Sequence, residues 1–125
     1  MMLSKSSLIA FVASQDPAHA RTFYENVLGL RLIEDEPFAL VFDAHGTMLR
    51  VQKVQSVSPA AYTALGWEVD DIRAEIDSLG SHGVICEIFE GLAQDENGIC
   101  SFQDGTQVAW FKDFDGNLLS LTQFP

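Results

Sequence analysis

The pattern of apolar and polar residues first predicts one β-strand and one helix. Residues 7–13 are small or branched and largely apolar, which is typical of a strand. Asp16 and Pro17 predict the start of a helix, because Asp caps a helix N-terminus and Pro fits its first turn. Gly29 predicts the helix end, since glycine readily adopts the left-handed conformation found there. Between these signals, apolar residues recur with helical spacing at Ala20, Phe23, Tyr24, Val27 and Leu28.

After Gly29 the chain predicts three short strands and then a connector. His45 and Gly46 predict a hairpin turn between the last two strands, because tight hairpins use residues that tolerate positive φ angles. The connector, residues 54–60, contains Pro and Ser and has no sustained apolar period. The strands are predicted at residues 30–34, 38–43 and 47–53.

The second half of the chain repeats this order of elements. Residues 62–69 alternate between larger apolar and small or polar side chains, which predicts a strand. Asp70 and Asp71 predict the cap of a second helix, which Gly80 and Gly83 are expected to stop. Strand-like runs follow at residues 84–89, 98–102, 106–112 and 117–123.

Length and charge narrow the classes of protein to consider. A chain of 125 residues predicts a single domain, residues 1–125. Eighteen acidic residues against seven Lys and Arg give a formal net charge of −11, and the basic residues are scattered. Such a surface repels phosphate backbones and anionic lipids, so neither nucleic acid nor a membrane is an expected partner. No long apolar run or signal peptide is recognised, and we expect a cytoplasmic protein.

Three segments, in this order, resemble one known family. Residues 23–30 read FYENVLGL, residues 69–72 read VDDI, and residues 110–119 read WFKDFDGNLL. These resemble the first helix end, the second helix start and the closing DPDGN hairpin of the vicinal oxygen chelate superfamily, with Phe114 in place of the usual Pro. That family contains glyoxalase I, extradiol dioxygenases, fosfomycin-modifying enzymes and bleomycin-resistance proteins.

The resemblance spans about residues 7–123 and implies a fold class. We expect an α+β fold in which two βαβββ modules form a curled mixed sheet around a cavity. Module one covers about residues 7–53 and module two about residues 62–123. The family also implies a homodimer, and the chain leaves open whether modules pair within one chain or between two.

Enzymes of this family usually hold a divalent metal with ligands from four strands, and the resemblance locates those positions here. They fall on Ile9, on Ala64, on Ser120 and on either Arg50 or Gln52. A stable divalent site needs several His, Cys or carboxylate groups. We therefore expect neither a metal nor another cofactor. His19, His45 and His82 are not expected to supply a metal site, because they fall on a helix turn, in a hairpin turn and near a helix end and share no strand or face.

Strand alternation predicts which side chains line the expected cavity. On residues 47–53, Leu49 and Val51 are assigned to the helix side, so their neighbours point inward. In the last strands either Trp110 or Phe111 points inward, and the sequence does not decide between them. The predicted binding residues are Arg50, Gln52, Glu68, Trp110 and Ser120, and no catalytic residue is assigned.

These residues predict binding of a small organic molecule in the sheet cavity, without the usual metal. The alternative is a diverged lyase, isomerase or dioxygenase of the same superfamily. In that case Arg50 would steady an anionic oxygen and Glu68 would act as base. A purely structural alternative is that Arg50 and Glu68 pair with each other. Whether the protein is an enzyme is left open.

Overall fold

The computed structural model describes residues 2–125. The chain divides into two compact units, Met1–Ser58 and Pro59–Pro125. This division lies inside the predicted connector, residues 54–60. Each unit contains one sheet and one main helix, and each is described below by itself.

The first unit follows the predicted order of elements. A 3₁₀ turn at Met2–Lys5, which the sequence did not predict, precedes the first strand. The sheet has the strand order β1-β4-β3-β2, with β1 parallel to β4 and the other pairs antiparallel. Its elements are β1 (Ile9–Ser14), α1 (Pro17–Thr22) with a π-helical turn (Phe23–Val27), β2 (Arg31–Asp35), β3 (Ala39–Ala44) and β4 (Thr47–Lys53).

The first helix begins and ends where the sequence predicts, but its last turn is wider than an α-helix. The Asp16 carboxylate accepts the His19 backbone N–H at 3.2 Å, and this hydrogen bond lowers the pKa of Asp16. After Thr22 the backbone changes to π-helical spacing, with Leu28 N donating to Phe23 O at 2.9 Å. Gly29 then ends the helix with φ at 73°.

The core of the first unit lies between this helix and one face of the sheet. Tyr24 and Phe42 are fully buried, with ring centroids 5.8 Å apart. Leu49 and Val51 are buried on the same side, which confirms their assignment to the helix face. The predicted turn at His45 and Gly46 is also confirmed, since both residues have positive φ angles, 51° and 91°.

The second unit repeats the topology of the first. Its strand order is β5-β8-β7-β6, with β5 parallel to β8, so each unit is a βαβββ module. The α+β class and the two-module architecture are therefore confirmed. The elements are β5 (Leu65–Glu68), α2 (Ile72–Ser81), β6 (Cys100–Ser101), β7 (Gln107–Lys112) and β8 (Leu118–Gln123).

Helix α2 is capped as predicted but runs past the first expected stop. The Asp71 carboxylate accepts the Ala74 N–H at 3.1 Å, so Asp71 is the N-cap. Gly80 lies within the helix, and the prediction that it stops the helix is wrong. Gly83 is the terminating glycine: its φ is 81°, and the following Val84 N donates to Leu79 O at 3.0 Å. This closing bond is typical of a glycine-ended helix.

The strand predicted at residues 84–89 is absent. One backbone bond, from Glu87 N to Trp110 O at 2.8 Å, joins this segment to β7. The Gln94 side chain satisfies other backbone groups instead: it accepts from Phe89 N and donates to the carbonyls of Glu87 and Gly98. A single amide therefore replaces the ladder of bonds that a strand would need.

The core of the second unit lies under α2. Phe111 and Leu119 are completely buried, and Ile72 packs from the helix with 1% exposure. Cys86 and Cys100 are buried free thiols, and desolvation raises the pKa of Cys86. Within the described part of the chain, no helix is long and apolar enough to cross a membrane.

Candidate functional site

In the first unit, the face of the sheet that points away from the helix brings two predicted site residues together with apolar neighbours. Strand β1 runs beside β4, with Ile9 next to Met48, Phe11 next to Arg50, and Ala13 next to Gln52. Leu49 and Val51 point to the helix side, so these six residues share the opposite face. We call this surface the first open face.

The first open face exposes large apolar side chains. Ile9, Phe11 and Met48 have exposed fractions of 44%, 50% and 42%. They occupy neighbouring register positions on two adjacent strands, so their exposed areas adjoin. Adjoining exposed apolar side chains of this kind commonly mark binding surfaces.

Arg50 is the central polar group of the first open face. Its Nη2 donates to Glu36 Oε1, and the two side chains are 26% and 24% exposed. Within residues 2–125, the guanidinium has no second hydrogen-bond partner. A guanidinium has five N–H donors, and Glu36 engages one of them while holding the group in place.

Glu36 is a site residue that the sequence did not single out. It lies in the turn between β2 and β3, and Glu36 N donates to Ala39 O at 3.0 Å. Lys53 Nζ also donates to the Glu36 carbonyl at 2.7 Å and contacts the Asp35 carboxylate. The acidic run at residues 34–36 was the available signal, but only the three-dimensional pairing shows which carboxylate meets Arg50.

The second unit has a corresponding face, which we call the second open face. Gly66 on β5 lies beside Ser120 on β8, which lies beside Trp110 on β7. Phe111 is fully buried on the helix side, so Trp110 is the aromatic residue of the open face. The structure thereby decides the choice that the sequence left open.

Two contacts fix the orientation of the Trp110 ring. Trp110 Nε1 donates to Thr63 Oγ1 at 3.2 Å. Phe89 packs edge-to-face against the indole, with ring centroids 5.7 Å apart and an interplanar angle of 82°. The indole is therefore a fixed wall on the second open face.

The two other predicted site residues are less constrained. Gln52 and Glu68 are both exposed, and neither side chain has a hydrogen bond to another residue in the described range 2–125. Gln52 shares the first open face with Arg50. Glu68 lies at the end of β5 next to Thr122, on the same face as Ser120.

The positions that would hold the metal of the resembled family do not fit one. Ile9 and Ala64 have no side-chain donor atoms, and Ser120 offers a neutral hydroxyl. The fourth position is either Arg50, a paired cation, or Gln52, a single neutral amide. The histidines have other surroundings, since the His19 ring contacts Asp16 and His82 lies at a helix end. Among residues 2–125, no group of three His, Cys, Asp or Glu side chains could hold a metal ion. This donor set is unlike that of any common divalent site.

One family model matches the sequence. It is described as the Glyoxalase/Bleomycin resistance protein/Dioxygenase superfamily, and it covers residues 8–121 of this chain. No curated protein sequence matches.

Solved structures share the fold at low sequence identity. A fosfomycin resistance protein from Listeria monocytogenes has a TM-score of 0.76 at 14% identity, covering 96% of this chain and 93% of that one. A glyoxalase/bleomycin resistance protein/dioxygenase from Alicyclobacillus acidocaldarius has a TM-score of 0.71 at 18% identity, covering 99% and 95%. A lactoylglutathione lyase from Agrobacterium tumefaciens has a TM-score of 0.67 at 20% identity, covering 94% of each chain. At such identities these similarities establish the fold alone.

Proposed function

We propose that this chain, which belongs to the glyoxalase/bleomycin resistance protein/dioxygenase superfamily, binds a small organic molecule on its open sheet faces without a metal ion. Binding sites for small molecules combine apolar walls with a few placed polar groups. Both open faces have this composition. The proposed ligand-contacting residues are Arg50, Gln52, Glu68, Trp110 and Ser120.

The observation that supports this proposal most directly is the state of Arg50. A guanidinium carries five N–H donors in a fixed planar geometry. Arg50 uses one donor, to Glu36, and the side chain of its register neighbour Phe11 is half exposed. The pair thus places an oriented polar group at the centre of an apolar surface.

This arrangement suits a ligand that presents an oxygen acceptor from an apolar body. A carbonyl oxygen would accept from the available guanidinium donors, while a ring or alkyl group would cover Ile9, Phe11 and Met48. Glu36 already neutralises the guanidinium, so the ligand does not have to be an anion. Homodimer formation, expected from the family resemblance, is part of the same proposal.

The alternative function, a diverged lyase, isomerase or dioxygenase, requires a base, and Glu68 is the residue proposed for that role. Glu68 is exposed, and its carboxylate has no hydrogen-bond partner in residues 2–125. Catalytic carboxylates are commonly held in place by neighbours and shielded from water. The surroundings of Glu68 therefore favour binding over catalysis.

The proposal is tested by measuring ligand binding in a charge-neutral double variant. Benzamide, acetophenone, phenol and benzylamine serve as probes in thermal-shift and calorimetric titrations of the wild-type protein. We expect benzamide and acetophenone, which present a carbonyl acceptor, to bind more tightly than benzylamine. The variant Arg50→Met/Glu36→Gln should weaken carbonyl-probe binding about tenfold, because it removes the donors and leaves no unpaired charge.

The matched control is Arg21→Met/Glu25→Gln, which removes an exposed ion pair from the first helix, on the other side of the same sheet. Arg21 Nε lies 3.4 Å from Glu25 Oε1, and the two side chains are 47% and 37% exposed. This control should bind every probe like the wild type. The proposal is overturned if no carbonyl probe binds, or if both double variants lose affinity equally.

A further inference from the structure

Ser120 differs from the other buried polar residues of the second unit. Asp113 and Asn117, which are also buried, bond to each other through their side chains at 2.8 Å. Ser120 has an exposed fraction of 8%, yet its hydroxyl makes no hydrogen bond to any residue in the range 2–125. A hydroxyl without a protein partner is either sealed from water, at an energetic cost, or open to water.

The hydroxyl is reached by solvent although its residue is buried. Within the described residues, no polar side-chain atom that is sealed from solvent lacks a hydrogen-bond partner. Because the Ser120 hydroxyl has no protein partner, its oxygen lies at an opening rather than in a closed core. A small molecule that reaches this opening would meet a hydroxyl able both to donate and to accept.

Gly66 makes room for this hydroxyl. A Cβ atom built on Gly66 would lie 2.7 Å from Ser120 Oγ, closer than real Cβ contacts allow. Among the described residues other than the chain neighbours of Gly66, the only further atom within 4 Å of that Cβ position is the Ser120 carbonyl oxygen, at 3.8 Å. The Ser120 hydroxyl therefore occupies space that a side chain at position 66 would take.

Trp110 borders the hydroxyl on the other side. It is the direct cross-strand partner of Ser120, and side chains in such positions have Cβ atoms about 5 Å apart. Because Thr63 and Phe89 fix the indole, the ring gives a flat apolar surface beside the Ser120 hydroxyl. We call the surface formed by Gly66, Ser120 and Trp110 the serine notch.

The charges near the serine notch disfavour an anion. Glu68 follows Gly66 by two residues on β5, so its carboxylate lies on the same face of the sheet. On the other side, Lys112 is paired with Glu87 at 3.5 Å. Both basic residues of residues 59–125, Arg73 and Lys112, are thus paired with carboxylates, so this unit offers no unpaired cation to a bound carboxylate, whereas a neutral hydroxyl or amide needs none.

We propose that the serine notch binds a flat aromatic ring that bears one neutral hydrogen-bonding group, a hydroxyl or a carboxamide. The ring packs on the Trp110 indole, and the polar group bonds to the Ser120 hydroxyl. The inference rests on the proposed function, which it extends by naming the ligand chemistry of the second open face.

The test is an NMR titration of the wild-type protein with phenol, benzamide, benzoate and toluene. The chain has two tryptophans, so the indole N–H signal of Trp67 on the helix side is an internal control for that of Trp110. We expect phenol and benzamide to shift the Trp110 indole and Gly66 amide signals and to leave the Trp67 signal in place. Toluene and benzoate should bind at least fivefold more weakly, because toluene lacks the polar group and benzoate is charged.

Two variants locate the hydrogen bond. Ser120→Ala should weaken phenol binding about five- to tenfold and leave toluene binding unchanged. Gly66→Ala should do the same by forcing the hydroxyl aside. Gly80→Ala, at a position with nothing within 4 Å of the added Cβ, is the matched control and should bind like the wild type.

The outcomes separate this inference from the proposed function. The proposed binding at the serine notch is contradicted if Ser120→Ala binds phenol as tightly as the wild type does. It is also contradicted if benzoate binds as well as benzamide. If the probes shift amide signals at Phe11 and Arg50 but not at Trp110, the proposed function stands for the first open face only and the inference falls. If no probe shifts either set, both fall. Should a variant not fold, the comparison of phenol with toluene on the wild type decides alone.

Discussion

A few polar side chains on otherwise apolar sheet faces distinguish this chain at the scale of single residues. Strand alternation correctly placed Arg50 and Gln52 on the face opposite Leu49 and Val51. It did not reveal that Arg50 is paired with Glu36, because that contact bridges 14 residues through a turn. Periodicity reports which face a side chain occupies, whereas its partner depends on how the neighbouring turn folds.

The Arg50–Glu36 pair gives a prediction about stability. Arg50→Met alone leaves the Glu36 carboxylate about three-quarters buried without its cation, and we expect a loss of about 1 kcal/mol in the free energy of unfolding. Arg50→Met/Glu36→Gln should recover most of that loss, since no unpaired charge is left. Urea unfolding of the three proteins measures the difference. A double variant less stable than the single one would contradict this description of the pair.

At the scale of elements, the capping residues were the most reliable signals. Asp16 and Asp71 both act as N-caps, and Gly29 and Gly83 both end helices with positive φ angles. The signals that failed were those that tertiary contacts override. The apolar run at residues 84–89 is not a strand because the Gln94 amide bonds to its backbone, and propensity alone does not anticipate such a contact.

The cap of α2 provides a test with a control in the adjacent residue. Asp71→Ala removes the acceptor for the Ala74 N–H and should lower the free energy of unfolding by about 1 kcal/mol. Asp70→Ala removes an exposed carboxylate next to the cap and should cost less than about 0.5 kcal/mol. Equal losses in urea unfolding would show that charge, rather than capping, stabilises this helix start.

The loop that leads into β6 gives a prediction about pH. Asp95 accepts the backbone N–H groups of Ile99 and Asn97 and pairs with Arg73, and these contacts lower its pKa. A carboxyl whose native pKa is lowered stabilises the fold above its unfolded pKa. That stabilisation is lost as pH falls through the lower native value.

Asp95→Asn should therefore destabilise the protein at pH 7, and its deficit should shrink as the pH is lowered below about 4. Thermal unfolding at several pH values measures this difference. Glu96→Gln, a neighbouring exposed carboxylate that forms no ion pair in the described range, is the control and should show little deficit at any pH. A deficit for Asp95→Asn that does not change with pH would contradict the assignment.

At the scale of the whole molecule, the charge of −11 bears on solubility and partners more than on the binding faces. Much of the acid lies in turns and at strand ends, where it meets the few bases: Asp35 contacts Lys53, Asp43 contacts Arg31, and Asp95 contacts Arg73. The sequence supported an expectation of this distribution, because its acidic residues cluster at predicted turns. It could not pair them, since each pair joins separate elements.

The expected homodimer is open to direct measurement. Several large apolar side chains are strongly exposed on the described chain, among them Leu8 at 76%, Phe38 at 78% and Ile85 at 81%. A second copy that covered part of this surface would remove its contact with water. Sedimentation velocity should give a mass twice the chain mass of 13.8 kDa at micromolar concentration. A single species at the chain mass would contradict the dimer.

The most direct test of metal-free binding on the open faces is an NMR titration of metal-stripped protein with benzamide. We predict saturable shifts in the backbone amide signals of Ile9, Phe11, Met48, Arg50 and Gln52, which share the first open face. These shifts should be unchanged when a chelator is present throughout and about tenfold weaker in Arg50→Met/Glu36→Gln. Shifts confined to other surfaces, or binding that appears only after a divalent metal is added, would contradict metal-free binding on the first open face.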